Sequence, residues 1–169
     1  MNNEIRFKAP WGPLLIISTS ACIIFLVGIS IIGINTGPKH NIGWILGMVV
    51  LPLAILIISS FFIIRGYVLT DNNTLVIQRL GWDTKIDLAE LTSAEVDKTA
   101  MAKSIRTFGN GGMFCFAGLF YNKRLGTYRA FATDLRKCVV LRFTNRIIVV
   151  TPDEPENFVM KIKTFIHHY

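Results

Sequence analysis

The chain has 169 residues, 51% of them hydrophobic, a formal net charge of +7 and a mean hydropathy of +0.47, which excludes an ordinary water-soluble domain of uniform composition. Cys22, Cys115 and Cys138 lack the paired spacing of a disulfide framework or a zinc site, and this argues against both.

Two runs hold the excess apolarity: LLIISTSACIIFLVGISIIGI (14–34) and IGWILGMVVLPLAILIISSFFII (42–64), neither with a charged side chain. About 20 apolar residues at helical rise cross a hydrocarbon core. The expectation is a transmembrane helical hairpin over 14–64, preceded by a cytoplasmic segment 1–13. Arg6 and Lys8 followed by TSAC (19–22) suggest a cleaved leader, but the run continues past Cys22 beyond the length of a secretory apolar region. Arg6 and Lys8 before the hairpin and Arg65 and Arg79 after it, against Lys39 alone in the connector, predict a multi-pass protein of the cell (inner) membrane with its second part in the cytoplasm. Gly28, Ser30, Gly33, Gly43, Gly47 and Pro52 are small or bending residues that allow close helix approach. With no charge inside either run, an ion or proton path has no chemical basis there.

From Gly66 the period shifts to two. Eight short antiparallel strands are expected in domain 65–169: 66–70, 74–80, 84–88, 92–98, 113–122, 126–133, 137–143 and 146–150, a number that suits a small barrel or two packed sheets. The stretch 99–112 is expected as a loop, with GNGG (109–112) as a glycine turn. A C-terminal helix over 152–167 follows, with Thr151 as N-cap, Pro152 at the first helical position and Glu154 completing a capping box. Asp153, Glu154 and Glu156 suit the positive end of its dipole. Phe158, Val159, Ile162, Phe165 and Ile166 fall on one face, Lys161, Lys163 and His167 on the other; such a stripe would plug an open barrel end.

YVLT followed by TLVIQRLGWDTKIDLAELTSAEV, the GNGG and GTYRAFAT segments, and the closing TPDEPENFVMKI resemble the bacterial pleckstrin-homology (PH)-like families, in which such a domain commonly follows one or two membrane helices. The resemblance implies an α+β PH-like barrel capped by a helix, acting as a binding or scaffolding module. The first hairpin loop, Asp71, Asn72 and Asn73, has none of the basic residues with which eukaryotic PH domains hold phosphoinositides, so that pocket is not carried over.

Lys123, Arg124, Arg129, Arg136, Lys137, Arg142 and Arg146 occur with only Asp134 among them, a candidate contact for anionic lipid headgroups, each cation being worth about 1 kcal/mol at such a surface. Tyr121, Tyr128 and Phe131 among these charges would suit single-stranded nucleic acid, but strand aromatics usually serve the core and a membrane tether argues against that partner. Met101, Ile105 and Phe108 make 99–112 a candidate contact loop for a protein partner or for self-association, unless they fold back onto the strands. Catalysis has no support: His40, His167 and His168 stand near no nucleophile or paired acid, GNGG lacks the Lys-Ser/Thr of a phosphate loop, and Asp83, Asp87, Glu95 and Asp97 lack metal partners. The expectation is a membrane-anchored binding or assembly protein without enzymatic activity or cofactor, with an anionic-lipid sensor as the alternative.

Overall fold

The computed structural model describes residues 4–38 and 41–166, and its first element is a strand where the sequence predicts only a lead-in. β1 (Ile5–Lys8) pairs antiparallel with β2 (Ile64–Thr70), Phe7 opposite Tyr67 and Lys8 opposite Gly66. Both apolar helices lie between these strands, so the hairpin 14–64 is an insertion in a β-hairpin and segment 1–13 belongs partly to the domain that follows.

α1 spans Pro13–Thr36 and α2 spans Ile42–Ser60, each long and apolar enough to cross a membrane. α2 is shorter than predicted. Phe61, Phe62 and Ile63 donate to carbonyls three residues back, a tightening that ends the helix, and Ile64 becomes the first residue of β2. Residues Leu46–Val50 are π-helical, and the N–H of Leu51 reaches back five residues to Leu46 O. Pro52 follows at once, without an N–H and with a ring that crowds the carbonyl four residues earlier; the wider turn accommodates it. Ser30, Gly33 and Pro52 serve close packing as expected: Ser30 and Pro52 are buried, and a Cβ on Gly33 would stand 2.6 Å from that of Met48. Gly28 and Gly47 face open space.

The first sheet has the order β1-β2-β3-β4, with β3 (Thr74–Arg79) and β4 (Thr84–Asp87). The second comprises β5 (Leu91–Val96), β6 (Ile105–Gly111), β7 (Phe116–Asn122), β8 (Gly126–Ala132), β9 (Val139–Phe143) and β10 (Ile147–Val150), in the order β5-β9-β10-β8-β7-β6. Two sheets, rather than a closed barrel, thus form the domain among the described residues, with nine strands after the helices where eight were predicted, and β1 added from before them. The expectation of purely antiparallel pairing is also corrected: β9 and β10 form the predicted tight hairpin, but β10 returns beside β8 and runs parallel to it, Ile148 opposite Arg129.

Between the sheets lies a core that includes Phe7, Tyr67, Leu69, Ile77, Phe131 and Leu141, closed by α3 (Pro155–Ile166), from which Phe158, Val159 and Ile162 enter it. The other face of the second sheet carries a further cluster, Phe116, Phe120, Tyr128, Val140 and Val149, covered by Leu15 of α1 and by Ala100 and Met101. Burial on both faces explains why β10, IIVV, reads as a continuous apolar run instead of an alternating one. The capping box is not formed. α3 begins at Pro155, and the side chain of Thr151 is buried among Tyr67, Thr133 and Asp134 instead; Glu154 Oε2 accepts from Asn157 Nδ2 at 2.8 Å. The expected places of the Phe165 and Ile166 side chains and of His167 fall outside the described residues.

Gly109 and Gly118 oppose one another across β6 and β7 with φ of +101° and +141°. A Cβ on Gly118 would run into the carbonyl oxygen of Phe108 and come within 2.8 Å of Gly109 Cα. Gly118→Ala therefore adds a backbone clash to a conformation that costs an L-residue about 1–3 kcal/mol. Its expected outcome is release of β6 from β7, read as faster amide exchange across Ile105–Gly111 while β9 stays protected.

Candidate functional site

β3 alternates outward and inward, and Leu75, Ile77 and Arg79 take the inward positions. The last of these puts a guanidinium where the pattern calls for an apolar side chain. Arg79 is only 9% exposed and its Nε has no hydrogen-bond partner. Its Cζ sits 5.4 Å from the ring centre of Trp82 and 5.0 Å from that of Phe131. Arg129 stacks on the same Phe131 ring at 5.1 Å. Burial above all, with the like charge of Arg129 acting in the same direction, holds the Arg79 guanidinium below its ordinary range.

Phe108, Leu119 and Arg129 face one another across β6, β7 and β8 and share a face with Phe131. Phe108 is 75% and Leu119 42% exposed, so the first sheet leaves this part of the inner face uncovered. The result is a cleft of about 720 Å³ whose lining includes Arg79, Arg106, Arg129, Phe62, Phe108 and Leu119, with no acidic residue. None of the three arginines joins an ion pair among the described residues; Arg106 Nη1 donates to Gly109 O at 3.1 Å. A neighbouring groove shares Leu119, Arg129 and Phe131 and adds Lys85 and Arg146, again without a carboxylate.

The cleft opens at the helix roots. Ser59, in the last turn of α2, and Phe62 form one wall, and Met113 of the β6–β7 hairpin contributes from another side. That hairpin rests on α1: Ser18 Oγ donates to Gly112 O at 2.6 Å, Thr19 Oγ1 to the same oxygen at 3.2 Å, and Phe114 N donates to Thr19 Oγ1 at 2.9 Å. Near the helix ends Trp11, Phe61, Leu80 and Trp82 are exposed; Trp11 meets Phe114 edge-on, and the lining residue Phe62 meets Trp82 likewise.

The seven basic candidates do not form one patch. Arg124 pairs with Asp97 at 2.5 Å, Arg136 with Asp134 at 2.9 Å and Arg142 with Glu95 at 3.1 Å, and Lys137 Nζ donates to Asp153 O at 2.8 Å. Hydrogen bonds from Arg136 hold the Asp134 carboxyl below the usual carboxylate range in spite of burial. Lys123 and Arg124 lie in the β7–β8 turn, at the opposite end of β7 from the hairpin that meets α1; seven residues of strand separate the two, about 20 Å. Only Arg129 and Arg146 of the seven enter the cleft system, Arg146 stacking on Phe143 at 4.9 Å.

The candidate contact loop divides as well. Met101 folds back, 7% exposed, onto the second sheet, whereas Ile105 and Phe108 are 68% and 75% exposed on β6, the free edge of that sheet. Arg79 and Arg106 are not among the residues the sequence singles out for a site; the inward phase of Arg79 in β3 is the one signal for the first. His40, His167 and His168 lie outside the described residues.

A sequence profile of the bacterial PH domain matches residues 65–166. No curated protein and no solved structure matches the chain significantly.

Proposed function

The chain belongs to the family of bacterial PH domains, and on that footing we propose that it is a membrane-anchored, non-enzymatic binding module of the inner membrane's cytoplasmic face whose ligand is an anion held in the arginine cleft. PH-like domains are typically binding modules. The observation that carries the reading is Arg79, a buried guanidinium stacked between two aromatic rings with, among the described residues, an unsatisfied Nε and no carboxylate partner. An isolated buried charge is costly, and its retention is explained when a bound anion completes it. Planar guanidinium groups suit phosphate or carboxylate oxygens, which they can grip with two hydrogen bonds at once.

The test is thermal unfolding of the full chain in nonionic detergent, with inorganic pyrophosphate added at constant ionic strength. The wild type is expected to gain several degrees, since 1 kcal/mol of ligand stabilisation shifts Tm by about 4–8 °C for a domain of this size. The Arg79→Met/Arg129→Gln variant is expected to gain none, and Arg79→Met alone is expected to melt higher than wild type without pyrophosphate, because an apolar side chain relieves the uncompensated charge. Equal gains in wild type and double variant would remove the proposal.

The free edge of β6 favours a second reading, assembly through protein contacts, since an unpaired strand with exposed Ile105 can accept an extended segment. A photocrosslinking residue at position 105 in intact membranes then yields a ladder of like subunits; monomer alone would exclude self-association through this edge.

A further inference from the structure

The position and the walls of the cleft narrow its ligand further than its charge does. A site for a free phosphate needs donors and little else, and a water-exposed mouth suits it. Here the cationic groups share a mostly apolar trough with Phe62, Phe108, Met113, Leu119 and Phe131, with a volume of about 720 Å³, well beyond what a bare oxyanion fills. The trough is lined in part by Ser59, in the last turn of an apolar helix long enough to span a bilayer. Two of the exposed side chains near the helix ends, Trp11 and Trp82, are of the kind that collects at the level of lipid headgroups, where an aromatic body is in contact with hydrocarbon and its edge with water. Nor can the domain swing off the surface, because α1 is bonded to the β6–β7 hairpin that forms part of the trough.

Building on the anion-binding reading above, we propose that the occupant is an anionic phospholipid of the leaflet in which α2 ends, entering sideways past Ser59 and Phe62. Its phosphate lies against Arg79 and Arg129, and part of an acyl chain lies over Leu119 and Phe108. Arg106 stands at the same trough and adds a third cation within reach of a larger headgroup. The site is at the end of β3 remote from the Asp71, Asn72 and Asn73 turn, so it owes nothing to the first hairpin loop.

The experiment uses the full chain in nanodiscs of phosphatidylcholine containing phosphatidylglycerol, released into nonionic detergent and weighed intact by native mass spectrometry, beside the pyrophosphate titration. Wild type is expected to retain one phosphatidylglycerol, and each guanidinium removed, by Arg79→Met or by Arg129→Gln, is expected to lower retention roughly tenfold. Phe108→Ser/Leu119→Asn is expected to lose the lipid while keeping the pyrophosphate shift, because it alters the chain's wall and leaves the cations in place. Continued protection of Cys115 and Cys138 from a soluble maleimide verifies that each variant is folded, both being fully buried. Equal lipid retention in wild type and arginine variants would mean annular lipid only and overturn the inference. A pyrophosphate shift without retained lipid, or one abolished by the wall substitutions, would overturn it and leave the anion reading standing. If neither ligand binds, both readings fail.

Discussion

A fragment cut at the limits of the family match, residues 65–166, is expected to lose native packing, and restoring β1 is expected to recover it. β1 supplies the strand that covers the edge of β2, in the register Ile5 to Leu69 and Phe7 to Tyr67. Phe7 is 5% exposed and meets the ring of Phe158 edge-on at 5.0 Å, so it joins the first sheet to α3. Lys8 and Asp153 exchange two hydrogen bonds of 3.0 Å that fix the chain just before that helix. Removing an aromatic side chain from such a site costs about 3–5 kcal/mol, a large part of the about 5–15 kcal/mol that holds a domain together. Because Lys8 lies opposite Gly66, a short glycine-serine turn from Lys8 to Ile64 can replace the apolar insertion and return the strand. Burial pushes the thiols of Cys115 and Cys138 up to about 12, so both react slowly with maleimide while the domain is folded. Rapid labelling of 65–166 and slow labelling of the β1-bearing form are the expected results. Equal protection in the two would show β1 to be dispensable. Phe7→Ala in the full chain supplies the intermediate case, with an expected loss of about 3–5 kcal/mol in urea unfolding.

The same connectivity ties fold to function. A domain joined to its helices by one flexible linker would sample many orientations, whereas here the two strands that flank the insertion, β1 and β2, are each joined to a helix by three or four residues. Gly12 N donates to Thr133 O at 3.0 Å, and Leu80 and Gly81 donate to Ile63 O and Phe61 O. The short segments between strand and helix are therefore bonded to both sheets, and the arginine cleft is held at the level where α2 ends.

What the sequence shows, and what it conceals, follows from the range of the forces involved. The apolar runs are legible because a helix able to cross a bilayer takes about 20 consecutive apolar residues, and the strands from β2 to β5 and from β7 to β10 because each is a short run rich in apolar, β-branched or aromatic residues bounded by turn residues. β1 is four residues, IRFK, and its partner stands more than fifty positions later. β6 is nearly all exposed, so no alternation marks it, and its glycines read as a turn although Gly109 lies within the strand as the close partner of Gly118. The basic cluster 123–146 misled in the opposite way. It is dense in sequence, but Asp97, Glu95 and Asp134 neutralise three of its members from other strands or from a neighbouring turn. The cleft combines Arg79, Arg106 and Arg129 from three separate strands, a juxtaposition that only the packing of one sheet on the other creates.

Thr151 provides the second large effect, and it separates a helix cap from a buried network. As an N-cap, Thr151 would tolerate aspartate well, because aspartate is among the best capping residues, and its loss would cost about 0.5–2 kcal/mol. The structure assigns it different work. Its side chain is fully buried; Oγ1 accepts from Thr133 N at 2.8 Å and lies 3.3 Å from the Tyr67 hydroxyl, while Thr151 N donates to that hydroxyl at 3.2 Å. Tyr67 in turn donates to Phe131 O at 2.7 Å, and burial pushes its phenol up to about 12 against the hydrogen bonds from Thr151, so it remains a protonated donor at neutral pH. One hydroxyl thus links β2, the end of β8 and the junction before α3. Thr151→Val keeps the shape and deletes the acceptor, leaving the Thr133 N–H buried without a partner, a penalty of about 1–3 kcal/mol for each stranded group. Thr151→Ser retains the hydroxyl and is expected to lose only the packing of one methyl, about 1 kcal/mol. Thr151→Asp places a carboxylate among buried neighbours and is expected to be the worst of the three, unfolding the domain so that Cys115 and Cys138 label at once. The order Ser, Val, Asp from mild to severe in urea unfolding is the signature of the network, and an aspartate variant as stable as wild type would restore the cap.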